Sequence, residues 1–142
     1  MIKDDVGQIS LEYMLIFTIS LIIFIVFTLP LAELTIKDTF DISDTLNTKN
    51  DVSKIAQAIK RVYGEGQGSK QVIHIKSSDV VKLNIGNDYI SANLKMNDGS
   101  EKLIKENFNS KLEKSTITLN KGENTIVIEW PVGGGLMKIY KM

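Results

Sequence analysis

The chain carries one long apolar segment near its N-terminus. No formally charged side chain occurs between Glu12 and Glu33, and residues 13–32 are mostly Leu, Ile, Phe and Val. An α-helix rises 1.5 Å per residue, so twenty residues span roughly 30 Å, the thickness of the hydrocarbon core of a bilayer. The pattern therefore predicts a helix that is long enough to cross a membrane.

After the apolar segment the helical pattern continues in amphipathic form over residues 33–63, which contain no Gly or Pro. Apolar residues recur there at spacings of three and four, which predicts one stripe that packs on the rest of the protein: Val52, Ile55, Ala56, Ile59, Val62 and Tyr63. Pro30 is expected to bend the helix, the alternative being that the helix ends there and a linker begins. Residues 35–50 are rich in Thr, Asp and Asn, which favour a break or irregular turns.

A glycine-rich turn over residues 64–70 ends the helix. Its Gly-x-Gly-x-Gly sequence is not a dinucleotide fingerprint, because that motif follows a strand and opens a helix, whereas this one follows a helix.

From residue 71 onward the apolar period changes to two, which predicts a β-rich head over residues 71–142. One hairpin is predicted around residues 86–88 and another, joining strands 115–119 and 124–130, around residues 120–123. Residues 101–114 are predicted to be irregular with one short strand. The remaining predicted strands are residues 71–76, 80–85, 89–95 and 136–141.

These elements predict an α+β fold, in which a long N-terminal helix precedes a small antiparallel β-sheet or β-sandwich. The amphipathic stripe of the helix is the natural cover for one face of that sheet. The chain has room for one helix and one modest head, because a length of 142 residues does not supply two cores of full size.

The N-terminal edge of the apolar segment differs from a secretory signal peptide. The basic side is thin, since Lys3 and the amino terminus are offset by Asp4 and Asp5. Cleavage after the segment, near Ala32, is an alternative, but the apolar run is long for a removed signal sequence. The more informative feature is a short polar leader, residues 1–7, that ends in glycine and precedes the sequence QISLEY.

A glycine-terminated leader, the Q-x-S-x-E-Y pattern of residues 8–13 and a following apolar helix resemble the class III signal peptide of archaeal type IV pilin-like proteins. The resemblance covers the first quarter of the chain. It implies that a prepilin peptidase cleaves between Gly7 and Gln8 on the cytoplasmic side, leaving Glu12 as the fifth residue of the mature chain. It also implies a lollipop-shaped subunit that polymerises with an assembly ATPase and a membrane platform.

The carboxylate of Glu12 requires a cation, because a charge at the edge of a hydrocarbon span is costly. The new amine of Gln8 on a neighbouring subunit would supply one, and the positive end of the helix dipole would help. The alternative is a glutamate that caps a simple membrane anchor and reaches water. Farther along, acids dominate residues 33–44 and bases dominate residues 49–61, so staggered helices could attract one another; a solvated face explains the same pattern.

Composition excludes several classes of protein. Formal net charge is zero, so no nucleic-acid partner is expected, and the chain has no Cys, which excludes disulfides and thiolate metal sites. The one histidine, His74, is predicted on the solvent side of a strand, and no catalytic set accompanies it. Asp98 and Glu101 flank Gly99 and could bind a divalent cation weakly, but a polar turn is the simpler explanation. We therefore expect no enzyme, no cofactor and no metal.

Two functions are compatible with this sequence. The first is a pilin, major or minor, in an archaeal type IV pilus-like surface filament, held in the membrane before assembly with its N-terminus in the cytoplasm and engaged in cell adhesion. The alternative is a single-pass, membrane-anchored β-domain that binds a ligand at the cell surface and never polymerises. The leader and Glu12 distinguish the two, because an anchor needs neither.

Overall fold

A computed structural model describes the backbone of residues 5–142 and the side chains from Ser10 onward. One helix, α1, extends over Asp5–Glu65 and contains Pro30. The described residues form two compact units, one ending at Phe40 and the other comprising Asp41–Met142. The first unit is helical from Asp5 onward, and the second contains the end of α1 and all strands.

Seven strands build two antiparallel sheets, one with the order β1-β6-β7 and one with the order β4-β3-β2-β5. The α+β fold class predicted from the periodicity is therefore confirmed. The strands are β1 (Lys70–Ser77), β2 (Val81–Ile85), β3 (Tyr89–Lys95), β4 (Glu101–Asn107), β5 (Ser115–Leu119), β6 (Gly122–Glu129) and β7 (Lys138–Lys141).

Residues of α1 and of both sheets share one buried core. Five of the six residues of the predicted stripe, all except Tyr63, are buried in that core. They meet inward-facing side chains of the strands, among which Ile75, Leu83, Ile90, Leu119, Ile126 and Ile128 have almost no exposed surface. Helix and sheets in the second unit are thus held together mainly by apolar burial.

One predicted hairpin is wrong. Strands β5 and β6 do not pair with each other; β5 pairs with β2, and β6 lies between β1 and β7. The side chain of Asn124 bonds the turn instead: its Oδ1 accepts from the Asn120 amide at 2.8 Å, and its Nδ2 donates to the Asn120 carbonyl at 2.7 Å. Alternation of apolar and polar residues shows which side chains face the core. It does not show which strands pair, because the pattern is the same whether one sheet or two sheets cover that core.

The segment predicted to be irregular contains more order than its composition indicates. Strand β4 occupies Glu101–Asn107 and pairs with β3 along its whole length. The following residues Phe108 and Leu112 are buried, and the Phe108 amide donates to the Asp88 carbonyl at 2.8 Å. Ile104, Phe108 and Leu112 are spaced four residues apart although they belong to a strand and the loop after it, because both enter the same core.

Replacing a core residue of α1 will cost far more stability than replacing an exposed one. Ile59 is fully buried, so we expect Ile59→Ala to lower the free energy of unfolding by about 2–5 kcal/mol. Leu46→Ala, at a position 55% exposed, is the matched control and should change it by less than about 0.5 kcal/mol. Thermal unfolding of the full chain in detergent micelles, followed by fluorescence of Trp130, measures both. Equal losses would contradict the assignment of the stripe to the core.

Candidate functional site

Among the described side chains of the first unit, none is covered by the unit's own fold. Every described side chain from Ser10 to Phe40 is exposed, including large apolar ones such as Phe17, Phe24 and Phe27. This part of α1 is long and apolar enough to cross a membrane. A surface of this kind needs lipid or other protein around it, because exposed apolar patches of such size are unfavourable in water.

Polar groups within the apolar segment are few, and each has a specific position. Glu12 is exposed in the early turns of α1. The Oγ1 of Thr18 donates to the Met14 carbonyl at 2.8 Å, so this hydroxyl is satisfied within the helix and needs no external partner. Among these groups, Glu12 is therefore the one that brings an ionisable charge to the apolar surface.

The predicted cleavage site falls where the structure describes the backbone alone. Residues 1–4 of the predicted leader lie outside the described residues, as do the side chains of Gly7 and Gln8. The backbone of α1 begins at Asp5 and passes through both positions. A chain that starts at Gln8 would keep Glu12 in the first turns of the helix, where its carboxylate meets the positive end of the dipole.

Beyond Pro30, α1 remains helical through the segment for which a break or irregular turns were predicted. The threonines there bond back to the helix: Thr35 Oγ1 donates to the Leu31 carbonyl at 2.9 Å, and Thr39 Oγ1 to the Thr35 carbonyl at 2.7 Å. These bonds satisfy the hydroxyls that otherwise compete with the helical backbone. The bend expected at Pro30 stays a prediction.

Exposed apolar side chains also continue past the predicted membrane span of residues 13–32. They continue along α1 through both units, each roughly 55–61% exposed: Leu34, Ile36, Phe40, Ile42 and Leu46. About 20 residues suffice to cross a bilayer, so lipid alone does not cover all of these side chains. Sequence periodicity did not separate them from the core stripe, because it does not tell which apolar residues the fold itself will bury.

In the second unit, two aspartates of α1 hold turns of the β head. The Oδ1 of Asp41 accepts from the Asn97 backbone amide at 3.1 Å and from Asn97 Nδ2 at 2.8 Å. Asp44 Oδ1 accepts from Ser78 Oγ at 3.2 Å. Asn97 lies between β3 and β4, and Ser78 between β1 and β2, so the polar contacts extend the helix–sheet packing beyond the apolar core. No local sequence pattern predicted this role for the two carboxylates.

A third aspartate, Asp51, is buried beside the core. Its side chain is 7% exposed, and it lies between the buried residues Thr48 and Val52. Burial raises the pKa of the Asp51 carboxyl above its usual value, while the nearby positive charge of Lys54 opposes that rise. Ionisation of Asp51 therefore costs the folded protein stability.

The basic side chains of residues 42–61 lie on the exposed face of α1. Lys49, Lys54, Lys60 and Arg61 are all exposed, while Asp44 and Asp51, the two acids among residues 42–61, are partly or fully buried. Among the described side chains, the one ion pair within 4.0 Å joins Lys70 to Glu129. The outward face of α1 in this unit therefore carries four exposed bases, of which Lys54 lies near the buried Asp51.

The end of the helix is joined to the sheet by aromatic stacking. The rings of Tyr63 and Trp130 lie 5.3 Å apart at an interplanar angle of 6°. Trp130 Nε1 donates to the Gly135 carbonyl at 3.1 Å, which fixes the indole against the loop before β7. Tyr63 remains 43% exposed, so the sixth residue of the predicted stripe contacts the head through the rim of the core rather than its interior.

The positions considered for chemistry are separated. His74 is exposed, and its Nδ1 lies 3.2 Å from Thr125 Oγ1. Asp98 Oδ1 accepts from the amide and hydroxyl of Ser100 at 2.8 and 2.6 Å, which lowers the pKa of the Asp98 carboxyl. In the described part of the chain no three His, Cys, Asp or Glu side chains are grouped to hold a metal ion.

Comparison of the chain with protein-family models, with curated protein sequences and with solved structures finds no match.

Removing the carboxylate of Asp41 will loosen the turn between β3 and β4. We expect Asp41→Ala to lower the free energy of unfolding of the head by about 1–2 kcal/mol, because the Asn97 amide and side chain lose their acceptor. Hydrogen exchange at residues 96–100 should accelerate. Asp38→Ala, at an exposed acid one turn earlier, is the control and should leave both measurements unchanged. Equal exchange in the two variants would contradict the contact.

Removing the charge of Asp51 will stabilise the head at neutral pH. A carboxyl whose pKa is raised by folding makes the protein less stable as pH rises from its unfolded value, 3.8, through its folded value. Asp51→Asn should therefore unfold at a higher temperature than the unmodified chain at pH 7, and the gain should vanish below pH 3.8.

Asp98→Asn is the control, because folding shifts the pKa of the Asp98 carboxyl in the opposite direction. Its hydrogen bonds from Ser100 lower the pKa of the Asp98 carboxyl, so its ionised form favours folding above the unfolded pKa, and that contribution is lost as pH falls through the folded value. The Asp98 variant should show no gain at pH 7. Melting curves at several pH values test both variants, and a stabilised Asp98→Asn would overturn the analysis.

Proposed function

We propose that this protein is a structural subunit, a pilin, of an archaeal type IV pilus-like surface filament. The observation that carries the proposal is the extent of uncovered apolar surface on α1, from Leu11 to Leu46. A membrane anchor needs about 20 apolar residues, whereas this surface continues past residue 32 to Leu34, Phe40 and Leu46. Bundled α1 helices of neighbouring subunits would cover the whole surface, including the part that lipid does not reach.

The helix serves two successive environments in this proposal. In the precursor, residues 13–32 hold the chain in the membrane, with the N-terminus in the cytoplasm and the head outside. A prepilin peptidase removes residues 1–7, and an assembly ATPase with its membrane platform extracts the subunit into the filament. Lipid tails are about as apolar as Leu, so transfer from lipid to a helix bundle gains little from burial itself. Close packing and polar contacts decide whether the bundle forms.

Glu12 provides the polar contact at the base of the bundle. Its carboxylate lies on the apolar surface, where water is excluded once helices or lipid surround it, and a partner of opposite charge becomes necessary. Cleavage before Gln8 creates such a partner, the new α-amine of a neighbouring subunit. An incoming helix whose amine reaches Glu12 satisfies both charges, which ties addition of a subunit to its prior processing.

The alternative is a membrane-anchored β-domain that does not polymerise. It accounts for residues 13–32 and for the packed head. It gives no role to the Gly7–Gln8 site or to Glu12, and it leaves the apolar side chains beyond residue 32 in water. The filament accounts for all of them, and adhesion through the exposed loops of the head is the role that we assign to it.

Loss of the carboxylate of Glu12 should block assembly but not processing. We expect Glu12→Ala chains to begin at Gln8, to remain in the membrane and to fall at least tenfold in the sheared filament fraction, because the buried amine loses its partner. Glu65→Ala, which removes an exposed acid at the far end of α1, is the control and should assemble normally.

Mass spectrometry of the N-terminus in membrane and sheared fractions measures both steps. An unmodified chain that keeps Met1 and stays in the membrane would overturn the filament and favour the anchored domain. Normal filaments from Glu12→Ala would leave the filament in place but remove the role of Glu12.

A further inference from the structure

We propose that a groove between α1 and β1 binds a sugar ring that carries a carboxylate. The inference gives the proposed adhesion a class of ligand, and in that respect it rests on the proposed function. The groove has a volume of about 260 Å³ and lies within the second unit. One wall is α1 and the other is β1, an edge strand that pairs with β6 alone. The lining residues are Lys54, Gln57, Ala58 and Arg61 of α1 and Gln71, Ile73 and His74 of β1.

The α1 wall of the groove carries positive charge at both ends. Lys54 and Arg61 are seven positions apart, which is close to two helical turns, so both project from nearly the same side of α1, about 10 Å apart along its axis. Both side chains are exposed, and no acid is among the residues that line the groove. Two cations on a wall without an anion attract a negatively charged ligand.

Two acids of α1 lie near these bases, and neither occupies the groove. Asp51 interacts with Lys54, but its side chain is 7% exposed and does not line the groove. Glu65, one turn after Arg61, is exposed and lies outside it as well. Among the described side chains, no acid is within 4.0 Å of Lys54 or Arg61. The ammonium and the guanidinium therefore have donors available for a ligand carboxylate.

Amide side chains on both walls add a second kind of contact. Gln57 lies between the two bases, and its Nε2 donates to Ser53 Oγ at 3.4 Å, which leaves its carbonyl oxygen to accept from a hydroxyl. On the β1 wall, the Oε1 of Gln71 is buried and accepts no hydrogen bond from the described residues. A buried acceptor without a donor is costly, and a ligand hydroxyl toward which the amide turns would relieve that cost. A phosphodiester group has no such donor, whereas a sugar ring carries several.

The surface between these polar groups is apolar. Ala58 is 4% exposed, and Ile73 is partly buried and packs against the core. The C–H groups on the face of a sugar ring can pack on such a surface, which a small inorganic anion cannot use. A few polar groups around an apolar surface are typical of sites for small organic ligands. Cations, amides and an apolar floor together match a ring that has both a carboxylate and hydroxyls.

Binding of oligogalacturonate to the full chain in neutral detergent micelles tests the site and requires no filament. Each ring of this probe has a carboxylate and hydroxyls, and we expect saturable binding in calorimetry. The methyl-esterified oligosaccharide keeps the hydroxyls and loses the charge, so it should bind about tenfold more weakly or worse. Arg61→Gln and Lys54→Gln should each weaken binding of the acid form by a similar factor.

Lys60→Gln is the matched control for charge. Lys60 is exposed and adjacent to Arg61 in sequence, but it does not line the groove, so this variant should bind like the unmodified chain. Gln71→Leu should weaken binding of oligogalacturonate, because a hydroxyl loses its acceptor. Trp130 fluorescence melts establish that each head is folded.

Three results would overturn the site. They are equal binding of the methyl ester, an equal loss for Lys60→Gln, and no binding of oligogalacturonate to the unmodified chain. Tighter binding of polyglutamate or of inorganic polyphosphate would overturn the assignment to a sugar, in favour of an acidic peptide or a phosphate chain. All of these outcomes leave the filament standing. Absence of filaments from the unmodified chain would instead remove the proposed function, while binding in micelles would still report on the groove.

Discussion

The structure depends on one constraint: α1 carries more apolar surface than the protein itself can cover. The second unit buries one stripe of the helix, centred on Ile55 and Ile59, beneath its two sheets. The rest, from Leu11 to Leu46, remains exposed. An exposed apolar surface of this extent is unfavourable in water, so the folded chain requires contacts with lipid or with other protein molecules.

The charged side chains of α1 in the second unit also divide into a group held by the head and a group exposed to solvent. Asp41 and Asp44 accept hydrogen bonds from turns of the head. Asp51 is buried, and burial raises the pKa of its carboxyl because it disfavours the charged form. The bases Lys49 and Lys54 stay in solvent. The head thereby holds the acids of this segment inward and leaves its bases exposed. A sum of charges along the sequence conceals this separation, because it counts Asp44 and Asp51 as if they were free to meet another molecule.

Much of the fold was predictable from periodicity. The three- and four-residue spacing of Val52 to Val62 gave the buried stripe, and the alternation of residues 89–95 and 115–119 matched strands β3 and β5 to the residue. The pairing of strands was not predictable in the same way. Strand β5 pairs with β2, a partner distant in sequence, and a short turn between two successive strands does not reveal such a pairing.

The candidate site likewise contains features that the sequence alone indicates and features that it does not. The apolar length and the position of Glu12 are properties of consecutive residues, so the sequence alone indicates them. The contacts of Asp41 with Asn97 and the stacking of Tyr63 on Trp130 join residues more than fifty positions apart, and no local pattern reports them. The sequence does not show that Ile42 and Leu46 are exposed, because their exposure depends on which face of α1 the head covers.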